Sequence, residues 1–428
     1  MSVYWKSGEE NLAHGSEKKT MPLINVDESL NRLLAATDTL ESVLTPLTKV
    51  GQAQVLAQDV IAELTEPPFR SSAMDGFAIR FQDYRKDAKF HVVGEAAAGK
   101  GYDGKIGKEE AIRIFTGAPV PDDADTIIIQ ENAVIDGDTV SFTKVPEQNA
   151  NIRPRGGNFE KGDSVLKKGR IMTPSALALC ASTGHGAIKV VRRPKIAVLA
   201  TGNELVEAGE IPGKDQIVCS NSYGLNYLIR AHHCDIVDLG IARDNEASIR
   251  EKINRAKEEK VDLLVTSGGV SVGKYDLVQT VLKSEGMKLD FWKVAMRPGK
   301  PLMFGVLPHD HKMLVLGLPG NPVSSMVCGH IFLVPILEKL SGRTYRPHIE
   351  DALLAVPLPE NGPRRHFVRA NLSVNSKGER WVTPVRSQDS SLIRLMANAD
   401  CLIIREENGT PLQVGEPCRI FIPDGAGL

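Results

Sequence analysis

Ser267-Gly268-Gly269-Val270-Ser271-Val272-Gly273 follows an apolar run, Leu263 to Thr266, and precedes a helical pattern. Small residues there bare backbone N–H groups at a helix entry, which suits phosphate. The same kind of turn also serves close strand-to-helix packing. It is neither a Walker A loop nor a G-x-G-x-x-G fingerprint, so ATPase and dehydrogenase chemistry lose their main signature. Asp276, three residues past the loop, could hold a divalent cation against a phosphate or cap the next helix. Asp244, in Ala242-Arg243-Asp244-Asn245, has the same two roles open, and the helix starting there favours the cap. Leu318-Pro319-Gly320-Asn321-Pro322 ends another strand and opens a long helix, with Asn321 as cap and Pro322 at the first helical position. Two anion-competent termini at strand carboxyl ends of one sheet point to a nucleotide-like ligand.

Lys293, Arg297 and Lys300 fall close together, and the prolines and glycine of Arg297-Pro298-Gly299-Lys300-Pro301 exclude a helix. Each cation could give a tetrahedral oxyanion a charge-assisted bond of about 1.5–3 kcal/mol before desolvation. A solvated basic turn is the alternative. Ser72-Ala73-Met74-Asp75-Gly76-Phe77-Ala78 places one acid in a loop of small residues, where an Asx-turn accounts for it equally. Thr201-Gly202-Asn203-Glu204 puts a carboxylate at the end of a strand. His309 and His311 read as solvated residues of a hairpin loop, and no Ser/His/Asp or Cys/His arrangement can be nominated.

These residues need elements to position them. Met1 to Thr20 is polar and reads as a flexible tail. Asp27 to Leu44 reads as one helix, interrupted near Thr37, with Asp27 or Ser29 as cap. From Gly51 to Gln148, short apolar runs punctuated by Gly, Pro and Asp describe a β-rich unit, and Thr173-Pro174 opens a helix to Ser182. From Lys195, strands alternate with helices, which argues a mostly parallel sheet covered on both faces. Beyond Arg346, short strands return as a small all-β, barrel-like domain. The expected architecture is therefore multidomain α/β. A tail (1–22) precedes an elongated linker domain (23–60 and 156–191) and a β-rich domain (61–155). A three-layer α/β domain (192–343) and the C-terminal β domain (344–428) follow.

Composition agrees with several domains: 428 residues, at roughly 150 per domain, make about three. The 52 basic and 53 acidic residues leave a net charge of -1, which excludes a chain-wide nucleic-acid footprint. Six dispersed cysteines form neither a disulfide framework nor zinc-type spacing. The start carries no apolar signal core, and the most apolar run, Val323 to Leu340, is broken by His330, Pro335 and Glu338, so neither export nor membrane insertion is expected. A cytoplasmic protein is the expectation.

In register, these strings resemble the molybdopterin molybdenumtransferase family, the bacterial MoeA proteins and the related E domain of gephyrin. The motifs are Ser72 to Ala78, Thr116-Gly117-Ala118-Pro119, Thr201 to Leu205, Ser267 to Gly273 with Asp276, Pro298-Gly299-Lys300-Pro301, and Leu318 to Pro322. They occur in the family's order, and the match runs from about Leu23. The resemblance implies insertion of molybdate into adenylylated molybdopterin, with Mg²⁺-dependent release of AMP. It implies an elongated homodimer with its cleft between the α/β domain of one subunit and the β-rich domain of the other, fed by an upstream molybdopterin adenylyltransferase. Asp276 and Glu204 would serve the metal, and Asp75, Thr116, Glu204 and Asp244 would line the cleft. Ser267, Gly268, Gly269, Ser271, Gly273, Pro319, Gly320 and Asn321 would bind the nucleotide end. Lys293, Arg297 and Lys300, joined by Arg369 and Ser390, would face molybdate or the pterin phosphate.

Two departures stand out. Arg297 replaces the family's usual lysine, exchanging a point donor for a planar fork. Gly157 and Asn158 stand where the family shows acids, so no acid role is assigned there. Two other activities share parts of this pattern: a gephyrin-type receptor-clustering scaffold, and a molybdopterin adenylyltransferase built on the α/β domain alone.

Overall fold

The structure, a computed structural model, describes residues 23–269, 277–308 and 311–423. Its first helix is Val26–Ala36, opened by Asn25, whose side chain accepts the Glu28 N–H at 2.8 Å. Asp27 and Glu28 thus fall in the first turn, where the helix dipole favours anions. The cap is one residue type that the sequence reading passed over. The helix stops at Thr37, whose hydroxyl donates to the Leu33 carbonyl, and Ser42–Pro46 is a strand pairing with Ala187–Val191. Leu40 and Leu44 therefore do not extend the helix.

The chain divides into two units, Glu41–Arg192 and the remainder. In Glu41–Arg192 a six-stranded sheet runs in the order Thr126–Ile129, Gly76–Ile79, Glu110–Ile114, Phe90–Ala96, Thr139–Phe142, Ala133–Asp136. Alternation places Phe77 and Ile79 on one face, with Phe90 and Phe142, and Ala78 on the other, with Ile112 and Ile127. A separate small core gathers Leu56, Val60 and Val190 around the helix Pro174–Ser182, which Thr173 caps as expected.

The second unit holds the α/β sheet, ordered Asp235–Ala242, Lys195–Thr201, Leu263–Ser267, Met313–Leu318, Met303–Leu307, Lys288–Trp292. The first four strands are mutually parallel and the last two pair antiparallel. Ile196 and Val198 point into one core and Ala197 and Leu199 into another, so helices cover both faces and three layers result. Val26 and Leu33 pack into the first of these cores with Leu337 and Leu340, which places the opening helix with this unit rather than with the linker. The apolar helical run Pro322–Leu340 is mostly buried in the same core.

In the same unit Ile349–Leu354, Arg365–Val374, Arg380–Pro384, Cys401–Arg405 and Pro417–Phe421 form a closed sheet, because Arg365–Val374 pairs with both Arg380–Pro384 and Cys401–Arg405. Val368, Ala370, Val382 and Ile403 fill its interior. The short strand Met296–Arg297 leaves the α/β domain to pair with Arg365 and His366. Arg365 also grips Asp27 with two bonds of 2.7 and 2.8 Å.

Candidate functional site

From Lys195–Thr201 the chain moves to Asp235–Ala242 on one side, then crosses to Leu263–Ser267 on the other. That reversal opens a crevice at the carboxyl ends, the usual ligand position in such sheets. A cavity of about 740 Å³ lies there. Among the expected residues, Glu204, Asp244, Ser267, Gly268, Gly269, Pro319, Gly320 and Asn321 line it.

The glycine loop owes its shape to close packing. Gly268 and Gly269 have φ of +92° and +66°, and a Cβ on Gly269 would meet Val278 at 2.3 Å. A Cβ on Gly268 would stand 2.8 Å from the Thr201 carbonyl. The packing that demands glycine also brings the loop's backbone to the cavity wall. Thr201 Oγ1, beside both glycines, is buried and has no hydrogen-bond partner among the described residues.

Asn221 was not anticipated. In the first turn of the helix Asn221–Ala231, its Nδ2 donates to Ser267 Oγ and to the Gly320 carbonyl, both at 2.8 Å. One side chain therefore fixes the spacing of the two loops that the sequence had marked separately. Its partners lie 46 and 99 residues along the chain, so no local pattern in the sequence marks this role.

Asp244 does not cap its helix. Asn245 does so, accepting the Ser248 N–H at 2.8 Å. Asp244 instead accepts the Asn203 N–H and donates its own N–H to Asn203 Oδ1, both at 3.1 Å. Asn321 and Pro322 take the cap and first helical positions as expected, but the Asn321 side chain makes no cap bond, and its Nδ2 donates to Ser390 Oγ at 3.0 Å. Ser391, next along, lines the cavity from the C-terminal domain.

The three cations take other positions, since none of them lines this cavity. Lys293, at φ +81°, lays its ammonium 4.3 Å from the Trp292 ring centroid. Arg297 lies in register with His366, while Lys300 precedes the lining residue Pro301. Burial, then the charges of Arg297, Arg364, Arg369 and Arg405, push the His366 imidazole down to about 4. Arg369, expected to face an oxyanion, is 1% exposed and donates to carbonyls of its own domain. Buried guanidinium needs such acceptors, and the loop Ser387–Leu392 supplies them.

In Glu41–Arg192, Asp75 Oδ1 accepts from both the backbone N–H and the hydroxyl of Thr116 at 2.8 Å, which holds the carboxyl below its usual range. These two expected residues do meet. Ser271, Gly273, Asp276 and His309 lie outside the described residues. His311 is not merely solvated, for its Nε2 lies 3.1 Å from the buried Asp262 carboxylate.

Three family models cover most of the chain: "MoeA N-terminal region (domain I and II)" over residues 24–184, "Probable molybdopterin binding domain" over 197–339, and "MoeA C-terminal region (domain IV)" over 351–421. A molybdopterin molybdenumtransferase from Haemophilus influenzae is 36% identical over 370 residues, 86% of this chain and 90% of that one. One from Staphylococcus aureus is 31% identical over 409 residues, 94% and 96% of the two chains. A solved molybdopterin biosynthesis MoeA protein from Pyrococcus horikoshii superposes with a TM-score of 0.79 at 27% identity, covering 94% of this chain and 99% of that one. A multidomain transferase with a molybdopterin-binding α/β domain is the class that fold and matches define. The chain belongs to the MoeA family, and it is an enzyme of molybdenum cofactor biosynthesis that acts at molybdenum insertion.

Proposed function

We propose that insertion here uses adenylylated molybdopterin and molybdate as substrates and releases AMP with the help of Mg²⁺. The observation that carries this reading is the meeting of the Ser267–Gly269 and Pro319–Asn321 loops, pinned by Asn221, in one cavity that Glu204 and Asp244 also line. Backbone amides of the two loops would bind the phosphates, and the Thr201 hydroxyl, which has no partner among the described residues, is a further donor beside the same wall.

Mg²⁺ is commonly held by one or two carboxylates completed by substrate phosphates, and Glu204 and Asp244 on one cavity wall fit that donor set. Asp276 would join them. When bound, the ion would neutralise charge on the pyrophosphate linkage. Arg297 and Lys300 would meet molybdate, with Arg364 and His366 close to Arg297 and Ser390 held by Asn321. Electrostatic preorganisation then supplies most of the catalysis, and no side-chain nucleophile is required.

We further infer a homodimer. Tyr223 and Tyr227 stand 51% and 73% exposed on the helix Asn221–Ala231, apolar bulk that a second copy would cover. A molybdopterin adenylyltransferase would supply the substrate, and the six buried free thiols suit the reducing cytoplasm.

The test is to mix the full chain with adenylylated molybdopterin, Mg²⁺ and molybdate. AMP release with cofactor formation is expected. In a parallel mixture of molybdopterin, ATP and Mg²⁺, consumption of ATP would instead indicate adenylylation, and inactivity in both mixtures a scaffold. Asp276→Ala should abolish Mg²⁺-dependent AMP release while the protein stays folded.

A further inference from the structure

The loop Ser387–Leu392 belongs to the C-terminal domain yet reaches the α/β cavity, and two of its serines are wired in opposite senses. Ser390 Oγ accepts from Asn321 Nδ2 at 3.0 Å, and the Ser390 carbonyl accepts the Val323 N–H at 3.1 Å. Among the described residues the Ser390 hydroxyl proton has no acceptor, which leaves it to donate and suits an oxyanion. Ser391 Oγ, in contrast, lies 2.8 Å from Asp389 Oδ1, which also accepts the Ser391 N–H at 2.8 Å. An ionised carboxylate only accepts, so the single Ser391 proton is committed to Asp389. What Ser391 presents to the cavity it lines is an acceptor. An acceptor repels phosphate and pairs with a hydroxyl or amino group.

The loop has no regular structure across these serines, and its shape is held by Arg369. From inside the domain, Arg369 Nη1 donates to the Leu392 carbonyl at 3.3 Å, and Nη2 donates to those of Ser387 and Asp389 at 3.1 and 2.9 Å. The Arg369 N–H adds a 3.0 Å bond to Gln388 Oε1. A planar fork reaching three carbonyls has no equivalent in a lysine ammonium.

We propose that Ser391 is a specificity contact that accepts a hydrogen bond from a hydroxyl or amino group on the organic part of the ligand, and that Arg369 is the positioning residue that sets it. This rests on the nucleotide reading of the cavity given above. The loop then discriminates a nucleotide from a bare phosphate, with Ser390 and Ser391 reading chemically different parts of one ligand.

The probes are AMP, 2′,3′-dideoxy-AMP and inorganic phosphate, titrated into the full chain. Ser391→Ala, at an exposed position, should weaken AMP by about threefold to tenfold, the worth of one hydrogen bond, and leave phosphate affinity unchanged. Arg369→Lys should shift the AMP-to-phosphate selectivity in the same direction, a ratio that a general loss of fold would not move. The double variant should lose no more than the weaker single, because both act through one contact. An equal loss on dideoxy-AMP by the wild type assigns the donor to the ribose; retained affinity assigns it to the amino group of the base. Wild-type AMP affinity in Ser391→Ala, an equal loss for phosphate, or multiplying losses in the double variant would overturn the proposal. A wild-type chain that binds no AMP would instead overturn the nucleotide reading beneath it.

Discussion

Asn221 carries more of the site than any residue the sequence singled out. Its two 2.8 Å bonds join Ser267 to Gly320, so Asn221→Ala leaves the two loops free to part. At about 0.5–1.5 kcal/mol per bond, AMP affinity should fall by roughly tenfold. Isothermal titration checks this, and an unchanged Kd would show that the loops keep their spacing without it. Gly269→Ala is the harsher change, since the new methyl would meet Val278 and the backbone stands at positive φ. Binding should be lost rather than weakened, and titration with AMP checks that too. At this scale the sequence was legible where chemistry is local: glycines at a strand end, carboxylates beside it. It was not legible where a short polar side chain serves a distant partner. Asn321 takes its expected cap position but turns its side chain to Ser390, and Asn221 carried no signal because its partners Ser267 and Gly320 lie far along the chain. Arg369 read as a cation for an anion, yet burial turns the same guanidinium toward carbonyls.

At the level of elements, apolar runs foretold the strands because a parallel sheet buried on both faces demands continuous Val, Ile and Leu. Lys195–Thr201 and Met313–Leu318 appear close to where hydrophobicity put them. The opening helix was overextended because Leu40 and Leu44 are apolar without being helical. The pairing of Met296–Arg297 with Arg365–Val374 could not be read at all, since two residues of one domain completing a strand edge of another carry no periodic signal. That pairing has a measurable consequence. His366 sits among arginines and is held near 4, against 6.5 for a free imidazole. The unfolded chain therefore takes up the proton first as pH falls, and stability declines from about pH 6.5 to about pH 4 and is retained above that window. Thermal melts of the wild type and His366→Gln at pH 7 and pH 5 check this: the variant should lose less on acidification.

For the whole molecule, the run Pro322–Leu340 shows how composition misleads in isolation. It is apolar enough to span a membrane by length and content, and it is a buried core helix. The exposed tyrosines of the helix Asn221–Ala231 are the contrasting case, apolar bulk left on the surface. If a second copy covers them, Tyr227→Glu should shift the protein from dimer to monomer in analytical ultracentrifugation while its melting temperature changes little. A variant that sediments like the wild type would place the interface elsewhere. The family was legible because six motifs fell in register across the chain, whereas residues such as Asp27 and Arg365, which tie the opening helix to the C-terminal sheet, had no motif to carry them. A crystal structure of the full chain grown with AMP would locate the ligand outright. The phosphate should lie against Gly268 and Gly269, within reach of Gly320 and Asn321; AMP seated anywhere else, with that cavity holding only solvent, would contradict the assignment.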